Sequence, residues 1–230
     1  MLWPFRLGHP NTCMKYLFPY LLSKIDVSSL SCDACIRAKQ HRVSFPSQPY
    51  KPTQLFTLIH SDFWGPSKVI TLLGNWWFVT FIDDHTRLTW VYLITDKFEV
   101  SSIFQNFYHT NETLFHKKKI VIHQSDNGQE FKNHNLSEFL AFKGIVHQNS
   151  WAYTPQQNGE AEQKNYHLLG VARSLMLSNS FPSYLWGDVI LTITHLINKM
   201  SSCILHLQTP LDCLKESYPS TRFVSEVLLS

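Results

Sequence analysis

Three carboxylates fall at points where this sequence changes from one local pattern to another. Asp62 and Asp126 each follow a short apolar run typical of a strand, and Glu162 lies near the start of a helical pattern, with 35 residues between Asp126 and Glu162. Carboxylates that converge on one point repel each other unless cations lie between them, and oxygen-only ligand sets suit Mg²⁺ or Mn²⁺. Two such ions, ~3.5–4 Å apart, can promote an in-line displacement at a phosphodiester. The pattern therefore predicts a two-metal site for phosphoryl transfer.

Each of these carboxylates also has an ordinary structural interpretation. A glutamate is common in a first helical turn, where the helix dipole favours it, and Asp126 precedes Asn-Gly, a standard turn sequence. Asp83 and Asp84 lie in a polar loop between two β-rich runs. Aspartate is common in such loops because its side chain can bond to the backbone of a turn. We therefore assign these two aspartates a structural role.

The rest of the chain predicts the elements that must position the three carboxylates. Two β-rich runs at residues 75–82 and 88–94, joined by five polar residues, predict a hairpin. The other predicted elements are helices over residues 98–115, 136–142 and 181–200, strands over 120–123 and 144–147, and a helix that begins near Asn158 and carries Glu162. Hairpin strands followed by alternating strands and helices predict a mixed α/β sheet.

Composition restricts the class of protein. The chain has 230 residues, of which 44% are hydrophobic, and this predicts a globular fold. Residues 1–51 hold seven Lys or Arg against two Asp, which fits a polyanionic partner, although an ordinary solvated surface would also explain it. Five cysteines without a signal-peptide pattern predict a reducing, intracellular location. No apolar run approaches the ~18 residues of a membrane span, so we expect no membrane partner.

The first 45 residues contain a second group of candidate ligands. Cys32 and Cys35 form a Cys-x2-Cys pair, and His9 upstream is a suitable third zinc ligand. The region where a fourth ligand is expected holds Pro4, and Cys13 is a weaker substitute. A redox-active pair is the alternative, which the absence of a surrounding βαβ pattern disfavours. The sequence thus predicts a zinc site that is incomplete.

Seven stretches of the chain, taken together, resemble the integrase segment of copia-type LTR retrotransposon polyproteins. They are Leu7-Gly-His-Pro10, Cys32-x2-Cys-x2-Ala-Lys-x2-Arg-x2-Phe-Pro46, His60-Ser-Asp-x-Trp-Gly-Pro66, Phe81-Ile-Asp-Asp-x-Thr-Arg-x-Thr-Trp-Val-Tyr-Leu93, Ser125-Asp-Asn-Gly-x-Glu-Phe131, Thr154-Pro-Gln-Gln-Asn-Gly-x-Ala-Glu-x-Lys-Asn165 and Ala172-Arg-Ser-Leu-Met176. The resemblance runs from about residue 3 to about residue 215. It implies a mixed five-stranded sheet of RNase H-like fold flanked by helices, preceded by a small, mostly helical zinc-knuckle-type module.

The resemblance also implies a domain organisation and a site. The expected units are a zinc module at 1–45, a catalytic core at 46–215 and a truncated tail at 216–230. The family's catalytic triad falls on Asp62, Asp126 and Glu162, which would bind two Mg²⁺ or Mn²⁺ ions, and Zn²⁺ would bind His9, Cys32 and Cys35. Its DNA-contacting positions fall on Asn158, Gly159, Lys164 and Asn165. The implied activity is 3′-end processing and strand transfer of element DNA into target DNA, by an oligomer of this chain in the nucleus.

The chain departs from the family's pattern at several positions. Pro4 stands where the family has the first zinc-binding histidine. Glu160 replaces a small apolar residue and Gln163 an arginine, and both changes make the helix more acidic where DNA should lie. We also expect a truncated polyprotein fragment without the C-terminal DNA-binding domain. Two alternatives to an active integrase follow: a nucleic-acid-binding remnant without turnover, and a hydrolytic RNase H-like nuclease.

Restoring a histidine at position 4 should strengthen zinc binding by the fragment of residues 1–45, because a structural zinc site normally has four protein ligands. The measurement is a zinc titration of the fragment with and without Pro4→His. If the unmodified fragment already folds tightly on zinc, or if the substitution changes nothing, another residue such as Cys13 completes the site.

Overall fold

A computed structural model describes residues 54–115, 119–149 and 159–218 of the chain. In chain order its elements are β1 Leu58–Trp64, β2 Trp77–Asp83, β3 Thr89–Ile94, α1 Glu99–Leu114, β4 Ile122–Ser125, a 3₁₀ turn Gln129–Phe131, α2 His134–Lys143, β5 Val146–Asn149, α3 Gly159–Ser178, a 3₁₀ turn Ser183–Leu185, α4 Trp186–Asn198 and α5 Pro210–Ser217. The strands form one five-stranded sheet in the order β3-β2-β1-β4-β5. The zinc module predicted at 1–45, with His9, Cys32 and Cys35, lies outside the described residues.

The direction of the strands confirms the predicted mixed sheet. β2 is antiparallel to both β1 and β3, as the hairpin prediction requires. β4 is parallel to β1 and to β5, and the chain passes through helices between these strands. No helix in the described part of the chain is long and apolar enough to cross a membrane.

Strand β1 occupies the centre of the sheet, and its alternating side chains serve two different layers. Ile59 and Phe63 point into the core formed with α1 and α2, whereas Trp64 packs in the core formed with α3 and α4. Because successive side chains of a strand point to opposite faces, Asp62 lies on the face that α3 covers. The α3 helix is held there by buried apolar residues that include Leu168 and Ala172.

Several bounds of the predicted elements were wrong. The strands expected over 120–123 and 144–147 lie two residues later, at Ile122–Ser125 and Val146–Asn149. The strand expected to end at Asp62 continues to Trp64, because Asp62 still pairs with Thr80 of β2. The helix predicted over 181–200 is shorter, and a further helix, α5, follows it. A local signal for α5 was present in the sequence: Thr209 caps its first turn by accepting a hydrogen bond from the Asp212 amide at 2.9 Å.

One buried side chain connects α4 to the edge of the sheet. The Asn198 amide Nδ2 donates to the Thr89 carbonyl at 2.7 Å, and Asn198 Oδ1 accepts from the Thr89 amide at 3.0 Å. Both residues are fully buried. Asn198 therefore satisfies two backbone groups on β3 that no neighbouring strand or water can reach.

Replacing Asn198 by Ala should lower the free energy of unfolding by about 2–4 kcal/mol, because two buried backbone groups would lose their partners. Urea denaturation of the purified chain measures this loss. The matched control is Asn179→Ala, which removes an exposed amide bonded only to the Leu175 carbonyl. That change should cost under about 0.5 kcal/mol; equal losses for the two variants would contradict the assigned role.

Candidate active site

The register between β1 and β4 brings two of the predicted catalytic residues together. Ile59 pairs with His123, and His60 pairs with Gln124. Continuing this register by two residues places Asp62 level with Asp126, which directly follows β4. Alternation along each strand puts both carboxylates on the face covered by α3.

Helix α3 supplies the third carboxylate and also a hydrogen bond to the first. Asn165, three residues after Glu162, is 3% exposed and donates from Nδ2 to Asp62 Oδ2 at 2.8 Å. Residues three apart lie on the same side of a helix, so the bond directs the side of α3 that carries Glu162 toward Asp62. The DNA contact implied for Asn165 stays a prediction; in the structure its amide binds Asp62, the first of the predicted catalytic residues. The sequence offered no signal for this role.

The three carboxylates interact electrostatically. Burial raises the pKa of Asp62 to about 7, and repulsion from Asp126 and, more weakly, from Glu162 contributes to the rise. Hydrogen bonds from Asn165 and from the Phe63 backbone oppose it. Asp62 therefore carries a proton for much of the time at neutral pH, and a nearby cation would favour its ionised form.

The donor set fits a hard divalent cation, although the side chains do not enclose one. In the described residues no group of three or more His, Cys, Asp or Glu is close enough to form a metal-binding cluster. Asp126 Oδ1 accepts a hydrogen bond from the Gly128 amide at 3.0 Å. Three mutually repelling carboxylates without sulfur or nitrogen donors match the ligand preference of Mg²⁺ and Mn²⁺. The fit to Mg²⁺ or Mn²⁺ thus depends on two properties of the candidate ligands: all three are carboxylates, and they meet on the face of the sheet that α3 covers.

Another acidic residue, which sequence reasoning did not single out, lies beside Asp126. A Cβ atom at Gly128 would lie only 2.6 Å from Glu130 Oε1 and 3.0 Å from Asp126 Oδ1. The Glu130 carboxylate is mostly buried and lies 3.9 Å from the Lys97 ammonium. A side chain at position 128 would therefore crowd the carboxyl groups of Glu130 and Asp126.

On the opposite face of the sheet, two serines anchor the strands that carry the aspartates. Ser61 Oγ lies 2.7 Å from His123 Nε2, and Ser125 Oγ lies 2.8 Å from His147 Nε2. The two imidazole rings stack with centroids 5.0 Å apart and planes at 11°. Since Ser61 and Ser125 immediately precede Asp62 and Asp126, these contacts fix the backbone on both sides of the site.

The two aspartates to which we assigned a structural role have contacts of that kind. Asp83 is fully buried and accepts hydrogen bonds from the Phe56 amide and from the amide and hydroxyl of Thr86, each at 2.8 Å. Asp84 Oδ1 lies 3.0 Å from His60 Nε2. These bonds shape the β2–β3 loop and attach it to β1.

Glu160 has a partner that the sequence did not reveal. We expected Glu160 to make the helix more acidic where DNA should lie. In the structure, Glu160 Oε2 accepts a hydrogen bond from Arg87 Nη1 at 2.6 Å. That guanidinium also lies 3.8 Å from Asp84 Oδ1. The negative charge of Glu160 is therefore paired with a buried arginine.

Comparisons with known proteins show which family the chain is similar to. Residues 52–155 match the integrase core domain family. The chain is 34% identical over 216 residues to the retrovirus-related Pol polyprotein from transposon TNT 1-94 of Nicotiana tabacum, covering 91% of this chain and 16% of that protein. It is 31% identical over 222 residues to the Pol polyprotein from transposon RE1 of Arabidopsis thaliana, covering 95% and 15%. This chain is an integrase region of the copia-type retrotransposon class. It spans only about a sixth of the length of these relatives.

Solved structures show that this integrase region has the expected fold. The catalytic core domain of HTLV-2 integrase, in complex with magnesium and in a trimeric form, aligns with a TM-score of 0.52 at 13% identity, covering 71% of this chain and 99% of that one. The catalytic core domain of BIV integrase aligns with a TM-score of 0.50 at 16% identity, covering 71% and 97%. The predicted RNase H-like fold is thereby confirmed.

Replacing Asp62 by Asn should stabilise the metal-free integrase region at pH 8 but not at pH 4. A carboxyl whose pKa is raised on folding destabilises the fold as pH rises: the penalty is absent below about pH 4 and complete above about pH 7. The gain at pH 8 should be on the order of 2 kcal/mol, less than the full value of the pKa difference because water screens a partly exposed carboxyl. Urea denaturation in EDTA at both pH values measures it.

The control for this experiment is Asp188→Asn on the exposed start of α4, which makes the same chemical change away from the site. It should alter stability by under about 0.5 kcal/mol at either pH. A variant at position 62 that is less stable than the parent at pH 8 would show that ionised Asp62 does not destabilise the fold.

Proposed function

We propose that this chain acts in DNA integration as a polynucleotidyl transferase that performs 3′-end processing and strand transfer. The observation that carries the proposal is the placement of Asp62, Asp126 and Glu162. Two adjacent parallel strands bring the aspartates level, and α3 packs over them with Glu162 in its first turn. The match to the integrase core domain family supports the same reaction class.

Asp62, Asp126 and Glu162 would hold two divalent cations, Mg²⁺ or Mn²⁺. Bound there, such ions supply activation of the attacking oxygen and stabilisation of the leaving oxygen in an in-line displacement. The protein's own contribution is the placement of the ligands. Asn165 restrains Asp62 through its bond to Oδ2, while the α3 backbone fixes the position of Glu162.

The proposed substrates are the ends of the element's DNA and a target duplex. Lys164, which lies on α3 next to Asn165, is proposed to contact the DNA, as the resemblance implies. Gly159, the first residue of α3, and Asn158, which lies outside the described residues, are proposed to contact DNA as the resemblance implies. An oligomer of this chain acting in the nucleus completes the proposal.

Strand transfer on short DNA duplexes with Mn²⁺ should require all three carboxylates. We expect Asp62→Asn, Asp126→Asn and Glu162→Gln each to reduce joining by roughly 100-fold or more, because each removes charge from a site that stabilises charge in the transition state. Asp84→Asn keeps an acceptor for His60 and should have a far smaller effect. Gel separation of joined and unjoined strands measures the products.

The matched control is Asp188→Asn, which removes an exposed carboxylate on α4. If Asp84→Asn abolishes joining while Glu162→Gln leaves it intact, the triad is misassigned. Cleavage by the unmodified chain without any joining would support the hydrolytic nuclease instead. DNA binding without either reaction would support the inactive remnant.

A further inference from the structure

A mostly buried acidic side chain follows Asp126 in the turn that leads away from the site. The Glu130 side chain is 10% exposed, and its Oε2 lies 3.9 Å from the ammonium of Lys97, whose side chain is 47% exposed. Glu130 belongs to the 3₁₀ turn Gln129–Phe131, which directly follows the Asp126-Asn-Gly sequence. Neither member of this ion pair belongs to the predicted catalytic triad or to the implied DNA contacts.

The Glu130 carboxyl group packs against the residue that orients Asp126. The Gly128 amide donates to Asp126 Oδ1 at 3.0 Å. A Cβ atom at Gly128 would lie only 2.6 Å from Glu130 Oε1, so the Glu130 carboxyl lies directly beside the Gly128 backbone. The Gly128 carbonyl also accepts a hydrogen bond from the amide of the fully buried Phe131 at 3.2 Å. The glycine that orients Asp126 is therefore restrained both by a buried aromatic residue and by Glu130.

Lys97 connects Glu130 to the strand that carries Asp62. Its ammonium lies 5.0 Å from the centroid of the Phe63 ring, a distance at which a cation is attracted to an aromatic face. Phe63 directly follows Asp62 on β1, and Glu130 lies four residues after Asp126. One lysine thus contacts a neighbour of each of the two aspartates.

We propose that Lys97 and Glu130 are positioning residues for Asp126: Lys97 holds the Glu130 carboxylate against Gly128, and Gly128 in turn orients Asp126 Oδ1. The inference rests on the proposed function and adds to it two residues that act on a candidate metal ligand from outside the triad. Groups that orient a metal ligand contribute to metal affinity without touching the metal. A mostly buried carboxylate without a counter-charge is costly, so neutralising Lys97 should drive the Glu130 side chain away from Gly128 and toward water.

Metal affinity distinguishes this role from simple electrostatics. If only charge mattered, removing the Lys97 cation should tighten the binding of a divalent ion, because like charges repel. If Lys97 keeps Asp126 oriented, removing the Lys97 charge should weaken that binding. The sign of the change therefore separates the two roles.

The test titrates the DNA-free chain with Mn²⁺ and follows the free ion by its electron paramagnetic resonance signal. Lys97→Met removes the charge but keeps an unbranched apolar stem against Phe63. It should weaken Mn²⁺ binding roughly 10-fold, the lower end of the range for groups that orient a ligand. Lys97→Arg keeps the charge and should stay close to the parent. The matched control is Lys143→Met, because Lys143 makes the same two kinds of contact on α2, 3.6 Å from Glu112 and 4.8 Å from the Tyr108 ring, and this change should leave Mn²⁺ affinity unaltered.

Glu130→Gln tests the other member of the pair. It removes the charge that Lys97 holds and should also weaken Mn²⁺ binding. Adding Lys97→Met to Glu130→Gln should cause no further loss, because the two side chains act through one contact. The joining assay gives a second measurement: Lys97→Met should lower the rate at saturating DNA and limiting Mn²⁺ and leave the KM for DNA unchanged.

Tighter or unchanged Mn²⁺ binding by Lys97→Met would overturn the positioning role while leaving the proposed function intact. A raised KM for DNA with an unchanged rate at saturation would show that Lys97 contacts DNA instead, and would also overturn it. Should Glu130→Gln fail to fold, the comparison of Lys97→Met with Lys97→Arg decides alone. If the unmodified chain neither binds Mn²⁺ nor joins DNA, the proposed function fails, and the positioning role fails with it.

Discussion

The main constraint on this structure is that three carboxylates, those of Asp62, Asp126 and Glu162, are held close together on a partly buried surface. Asp62 cannot lose its proton easily because it is buried and faces Asp126 and Glu162. Apolar packing elsewhere on α3 offsets that cost, since a fully buried aliphatic side chain contributes about 1.5–3 kcal/mol. Leu168, Leu169 and their neighbours press the helix onto the sheet and against α4. The carboxylates therefore stay near one another because the helix that carries Glu162 is fixed at its apolar end.

The candidate metal ligands and the larger hydrophobic core lie on opposite faces of the sheet. Alternation along β1 and β4 directs Asp62 and Asp126 toward α3, and it directs Ser61, Ser125 and the stacked His123 and His147 toward the opposite face. A one-residue slip of β4 against β1 would exchange these faces. The buried hydroxyl–imidazole contacts therefore do more than satisfy polar groups: they specify the register on which the pairing of the two aspartates depends.

Local patterns in the sequence predicted the order of the helices and strands and selected the three carboxylates as candidate ligands. Both predictions use information within short stretches: the periodicity of apolar residues and the spacing of acidic ones. Contacts between distant residues were not predictable in this way. The Asn165–Asp62 bond joins residues 103 positions apart, and the Arg87–Glu160 bond joins residues 73 apart. The continuation of β1 past Asp62 likewise depends on Thr80, which local propensity cannot identify. The roles of Asn165 and Arg87 thus required the assembled fold.

The conformation of Arg87 connects the hairpin loop to the catalytic helix. Its φ of 61° lies in the left-handed region, which costs an L-residue other than glycine roughly 1–2 kcal/mol. Asp83 and Thr86 fix the loop before it, and Asp84 and Glu160 stabilise the guanidinium that results. Because Glu160 and Glu162 lie in the same first turn of α3, the ion pair with Arg87 also restrains the end of the helix that carries Glu162.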